Sequence, residues 1–177
     1  AVSIKNYVEA NSVKRAVVIG GGFIGLEVAD NLKEQGVAVT VIDLAGQILP
    51  NVFDSEMAGY AERHLLKNGI RVLTGTKAEK FTGEGKVTGV KTSKGLLGCE
   101  LVILSMGIRP NTDFLEGSGI EMEKGTILVD GELRTNIEDI YAAGDCAMVT
   151  NRITGERQWS PMGSSANMEG RTLAQVI

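Results

Sequence analysis

The stretch VVIGGGFIGLEVAD, residues 17–30, decides how the rest of the chain is read. A short apolar run, RAVVIG (15–20), meets three consecutive glycines and reads as a fully buried strand. The segment that follows, FIGLEVADNLKEQG (23–36), has helical periodicity and a stop at Gly36. Gly20-Gly21-Gly22-Phe23-Ile24-Gly25 fits G-x-G-x-x-G at a strand-to-helix junction, the setting in which that pattern marks a dinucleotide pyrophosphate site. In that arrangement Gly20 makes the tight turn and Gly22 lets a pyrophosphate approach the backbone. Gly25 lets the helix pack close to the strand. The first helical turn, with Phe23 and Ile24, offers free N–H groups and a positive dipole end to the phosphates.

Working outward, VAVTVID (37–43) reads as a second strand closed by Asp43, at the offset expected of a ribose-binding carboxylate. A carboxylate there accepts from the adenosine hydroxyls and repels a 2′-phosphate. No Arg or Lys lies in DLAGQILPN (43–51) to attract that phosphate, so NAD(H) is expected over NADP(H). The competing reading of Asp43 is a solvated acid at a strand end. DSEMAGYAERHLLKNG (54–69) reads as a helix with Asp54 or Ser55 as N-cap, and IRVLTG (70–75) as a third strand. Alternating strands and helices predict an α/β fold with a parallel sheet. Residues 78–105 lack a long helical period and read as a short antiparallel meander in place of one crossover helix, ending in the buried strand LVILS (101–105). Beyond it come TILVD (126–130), DIYAAGD (139–145), read as a strand ending in Gly-Asp, and a late helical stretch from Met162.

Composition narrows the function. The net charge of −4, with no block of like charges, gives no electrostatic case for nucleic acid. No apolar run reaches the roughly 18 residues of a membrane span. The N-terminus lacks the apolar core of a signal peptide. Cys99 and Cys146 lie far apart and form neither a C-x-x-C nor a zinc pattern, so both are expected to be buried structural thiols in a cytoplasmic protein. His64, the only histidine, is expected to be structural or on the surface.

The glycine motif, the acid-ended second strand, ILPNVFDSEM (48–57), LSMGIRPNT (104–112) and LRTNIEDIYAAGDC (133–146) occur in this order in the flavin-dependent pyridine nucleotide–disulfide oxidoreductases, which the chain resembles over nearly its whole length. The tail ITGERQWSPMGSSANMEGRTLAQ (153–175) is most similar to the coenzyme A-disulfide reductase and NADH oxidase branch. The resemblance implies a Rossmann-like three-layer fold. Residues 1–14 would be a linker or short helix, 15–112 an NAD(H)-binding domain and 113–177 the returning segment of a FAD-binding domain. It implies that Gly20, Gly22 and Gly25 hold the NAD pyrophosphate and Asp43 the adenosine ribose. Glu27 would lie near the nicotinamide carboxamide, and Gly107 would pass close to the dinucleotide. Asp145, in the Gly-Asp pair, would bind the ribitol of FAD. From the residues alone, Glu27 reads rather as an exposed helix acid, and the competing readings of Gly107 and Asp145 are a turn and a cap. No G-x-G-x-x-G precedes residue 15, and no paired or single redox cysteine stands upstream of the glycine motif. The chain is therefore expected to be the middle of a larger, homodimeric flavoenzyme, with little turnover by itself. The alternative is a stand-alone NAD-binding sensing module. A small dehydrogenase with Tyr-x-x-x-Lys is excluded, since none of the three tyrosines sits in that pattern.

Overall fold

The apolar run around Val17 and Val18 forms the middle of a parallel sheet. β1 (Arg15–Ile19) is flanked by β2 (Ala38–Ile42) and β7 (Leu101–Leu104), and β3 (Arg71–Leu73) lies outside β2. β1 is apolar on both faces because both are covered. Ala16 and Val18 join the core formed with Ala29 and Leu32 of α2 (Phe23–Glu34), Leu65 of α3 (Ser55–Lys67) and Val8 of α1 (Val2–Asn11). Val17 and Ile19 pack on the other face against Val87, Val90, Leu97 and Cys99. That second cover is the antiparallel meander of β4 (Ala78–Thr82), β5 (Gly89–Thr92) and β6 (Gly95–Gly98). The result is the three-layer α/β arrangement expected: helices, parallel sheet, meander.

Local chemistry fixes the element ends. Asp54 caps α3, its carboxylate accepting from the Met57 N–H at 2.9 Å. Helices α2 and α3 end in the same Schellman arrangement: Val37 N–H donates to Leu32 and Gly36 to Lys33, as Ile70 does to Leu65 and Gly69 to Leu66. Each closure turns the chain directly towards the next strand.

The computed structural model describes residues 2–177, and the chain divides into two compact units after Gly107. In the second unit, β8 (Met122–Glu123), β9 (Thr126–Leu128), β10 (Ala147–Thr150) and β11 (Arg157–Gln158) make a four-stranded sheet, and α4 (Gly163–Val176) closes the chain. Its core centres on Ile127, Ala142 and Ala147. The expected strand at 139–145 does not form. Only Tyr141 makes a bridge, to Arg134, and the strand comes after the Gly-Asp pair, at β10. Asp139 at φ 61° and Gly144 at φ 83° interrupt the extended backbone that a ladder needs. Cys99 is fully buried as expected; Cys146 is only half-buried, its thiol 3.6 Å from the Ala143 carbonyl.

Candidate functional site

At the end of β1 the chain turns through Gly20, whose φ of +112° is closed to most side chains, and enters α2 at Phe23. A Cβ on Gly20 would lie 2.2 Å from the Ser105 carbonyl oxygen, and one on Gly25 would lie 2.0 Å from the Gly20 carbonyl oxygen. Strand packing and helix packing therefore account for these two glycines. Gly22 differs. Its backbone is extended, at φ −82° and ψ −179°, and a Cβ there would meet nothing within 4 Å. Neither conformation nor a protein neighbour demands glycine at 22, and the space left open adjoins the start of α2. Gly22 is the N-cap of that helix and offers no side-chain cap, so the first N–H groups face outward. Phe23 and Ile24 are 54% and 59% exposed beside them.

The middle glycine of the three is clamped from both sides. Gly21 N–H donates to Asp43 Oδ2 at 2.6 Å, and the Gly21 carbonyl accepts from Leu49 N–H at 3.0 Å. The other Asp43 oxygen, Oδ1, accepts from Ala45 N–H at 2.7 Å. Asp43 is thus a strut between β2, the loop after it and the glycine turn. Each carboxylate oxygen retains one acceptor direction for a further donor, so the half-buried carboxylate suits two vicinal hydroxyls. Leu49 has φ +49°, an uncommon conformation for a branched residue, with its side chain buried beside Ile48. A Cβ on Gly21 would come within 2.9 Å of Ile48 Cγ2. The loop carrying the acid and the glycine turn are one packed unit.

Two residues of this region escape a motif reading. Ser105, just past β7, donates from its backbone N–H to Ile19 O at 2.8 Å, and its hydroxyl lies 3.1 Å from both Ile19 O and Gly20 O. Leu49 supplies the N–H that holds Gly21. Neither role has a sequence signature, because each depends on strand pairing or on a left-handed turn. The remaining candidates do not gather here. Glu27 is exposed on α2 and, with Ile24, lines an apolar groove of about 480 Å³ between α1 and α2. Gly107 is exposed, at φ +104°, with open space where a Cβ would be. Asp145 belongs to the second unit. It is exposed, its carbonyl accepts from Trp159 Nε1 at 2.9 Å, and its carboxylate has no hydrogen-bond partner among the described residues. The adjacent Gly144 N–H donates to Glu169 of α4 at 2.6 Å. His64 is exposed, 3.0 Å from Asn68 Nδ2. Among the described residues no metal-binding cluster exists, and no helix is long and apolar enough to cross a membrane.

This geometry has known counterparts. Residues 3–169 match the family model for pyridine nucleotide-disulphide oxidoreductase. An NADH oxidase of Methanocaldococcus jannaschii is 38% identical over 99% of this chain, which spans 39% of that relative's length. The reduced Bacillus anthracis CoADR-RHD superposes with a TM-score of 0.91 at 32% identity, covering 98% of this chain and 31% of its own. The water-forming NADH oxidase of Lactobacillus brevis, bound to NADH, gives a TM-score of 0.87 at 33% identity, covering 97% and 38%. Its engineered form, a water-forming NADPH oxidase bound to NADPH, gives 0.87 at 31% identity over the same shares. That form replaces a glycine, an aspartate with the two residues after it, and a proline. Counted from Gly25, the same spacing falls on Asp43, Leu44, Ala45 and Pro50, with glycine, aspartate and proline in common. The family model covers nearly the whole chain, and the chain belongs to the pyridine nucleotide-disulphide oxidoreductase family.

Proposed function

We propose that this chain is the NAD(H)-binding portion of a flavin-dependent oxidoreductase, in which NADH supplies the hydride that reduces FAD on the way to a disulfide, such as coenzyme A disulfide, or to oxygen. The observation that carries the reading is Gly22. The open space over its missing side chain, at the uncapped start of α2, fits a group from outside the chain, and a pyrophosphate matches both the space and the outward N–H groups. In this reading Gly20 and Gly25 fix the turn, while Phe23 and Ile24 flank the phosphates. Asp43 accepts from the adenosine ribose while bracing Gly21. Glu27 and Gly107 serve the nicotinamide half, and Asp145 serves FAD in the full-length protein. Residues 15–112 form the NAD(H) domain and 113–177 return to the FAD domain of a homodimeric, cytoplasmic enzyme.

NAD(H) is favoured over NADP(H) because Asp43 would face a 2′-phosphate, and neither Leu44 nor Pro50 carries a charge to offset it. The Lactobacillus brevis pair supports this, since its change from NADH to NADPH accompanies substitutions at the corresponding spacing. Calorimetric titration of the 177-residue chain tests the reading. Saturable NADH binding with much weaker NADPH binding is expected; absence of binding by either would overturn it.

A further inference from the structure

We propose that Ser105 is a positioning residue for the pyrophosphate-binding turn, an inference that rests on the NAD(H) reading above. Ser105 touches neither the open space over Gly22 nor Asp43 by any hydrogen bond. It acts through the Gly20 peptide. Its hydroxyl lies 3.1 Å from the carbonyl oxygens of Ile19 and Gly20. Ile19 O already accepts the Ser105 backbone N–H, whereas Gly20 O has no other donor among the described residues. One hydroxyl proton serves the two oxygens, and only Gly20 depends on it.

The position of that oxygen gives the bond its reach. A Cβ on Gly25 would lie 2.0 Å from Gly20 O and 2.5 Å from Ser105 Oγ, so both oxygens sit against the first turn of α2. The hydroxyl therefore joins three things at one point: the end of β1, the left-handed turn at Gly20 and the start of the helix. An alanine at 105 would leave a partly buried carbonyl without a donor, and the Gly20 peptide would turn to recover one. The N–H groups that follow, from Gly22 onward, would lose their fixed direction. A dinucleotide would then have to reimpose the geometry on binding, and its affinity would fall by that cost. Nothing in this requires a large change in overall stability, because Ser105 is at the end of β7 and lies outside both cores of the first unit.

The test is titration of the wild-type chain, Ser105→Ala and Ser105→Cys with NADH and with ADP-ribose, at a temperature where melting curves show all three folded. The expected result is a loss of about five-fold in affinity for both ligands in Ser105→Ala, the equivalent of one ordinary hydrogen bond. Ser105→Cys, which keeps bulk but is a poor donor, should show a similar loss. Unchanged affinity in Ser105→Ala, even with a lowered melting temperature, overturns the proposal, since the residue is then only structural. Wild-type affinity in Ser105→Cys also overturns it, because volume rather than the hydrogen bond would be responsible. If the wild-type chain binds neither ligand, the NAD(H) reading itself fails, an outcome separate from the other two.

Discussion

Asp43 illustrates how one residue can hold both a ligand-facing and a structural role, with consequences for any attempt to change specificity. Its carboxylate accepts from Gly21 and Ala45 N–H at 2.6 and 2.7 Å, and hydrogen bonds to a charged group contribute about 1.5–3 kcal/mol each. Asp43→Ala should therefore lower the melting temperature and weaken NADH, with NADPH losing less because the repulsion of its 2′-phosphate goes with the carboxylate; calorimetry and thermal melts on the same samples would reveal it. Leu44 is 72% exposed and Pro50 is also exposed, and neither side chain braces the turn. The double variant Leu44→Arg, Pro50→Arg, with Asp43 kept, should narrow the gap between NADPH and NADH affinity while leaving the free energy of unfolding within about 1 kcal/mol of wild type. Gly25→Ala is a different matter. Its Cβ would meet backbone at 2.0 Å, so α2 must shift, at a cost of about 1–3 kcal/mol read by denaturant unfolding. Gly20 and Gly25 were legible because each answers a local packing demand of a strand-to-helix turn, and Gly22 because the spacing of the motif marks it. Ser105 and Leu49 were not, because a serine past one strand and a leucine in a loop reveal nothing until the β1–β7 pairing and the left-handed turn exist.

The same distinction holds for whole elements. β1, β2, α2 and α3 could be read in advance because apolar period, Asp54 and the glycines at 36 and 69 all agree. The segment 139–145 could not. Its alternation resembles a strand, yet Asp139 and Gly144 adopt left-handed backbones and the ladder moves to β10. Element junctions also carry charge that a pattern search passes over. Glu100, which precedes β7, accepts from the Lys14 and Arg15 N–H groups at 3.2 and 2.8 Å and from the Arg15 guanidinium at 2.6 Å. The Arg15 side-chain bond holds the Glu100 carboxyl below its usual range; burial opposes it, and the two backbone donors add to it. A lowered folded value means that the stabilisation is present above the unfolded carboxylate range and lost as pH falls through the folded one. The stability gap between wild type and Glu100→Gln should thus be constant above about pH 5 and shrink below it. A gap independent of pH down to 3 would show that the ion pair contributes nothing; the pair is solvent-exposed, so the effect is expected to be small.

At the scale of the molecule, the two units differ in what holds them together. The first has two clusters of fully buried side chains, one on each face of the parallel sheet, and contains the glycine turn, Asp43, Leu49 and Ser105. The second rests on a single small cluster around Ile127, Ala142 and Ala147, with strands of two to four residues. Stability follows buried apolar area, at about 25 cal/mol per Å², against an ordering cost that grows with every residue. Seventy residues with so small a core fall where independent folding is marginal. A chain ending at Gly107 should therefore unfold cooperatively in urea and retain most of the NADH affinity of the full 177 residues. Residues 108–177 alone should show a broad, weakly cooperative transition. Cys99 gives an internal check on the first of these. It is fully buried, and burial raises its thiol pKa, so a thiol reagent at pH 8 should leave it unmodified while the half-buried Cys146 reacts. In the shortened chain Cys99 is the sole thiol, and its protection would report the parallel sheet and meander intact. If Cys99 reacts as fast there as in urea, the first unit does not fold without the residues beyond Gly107, and the expectation of its independence fails.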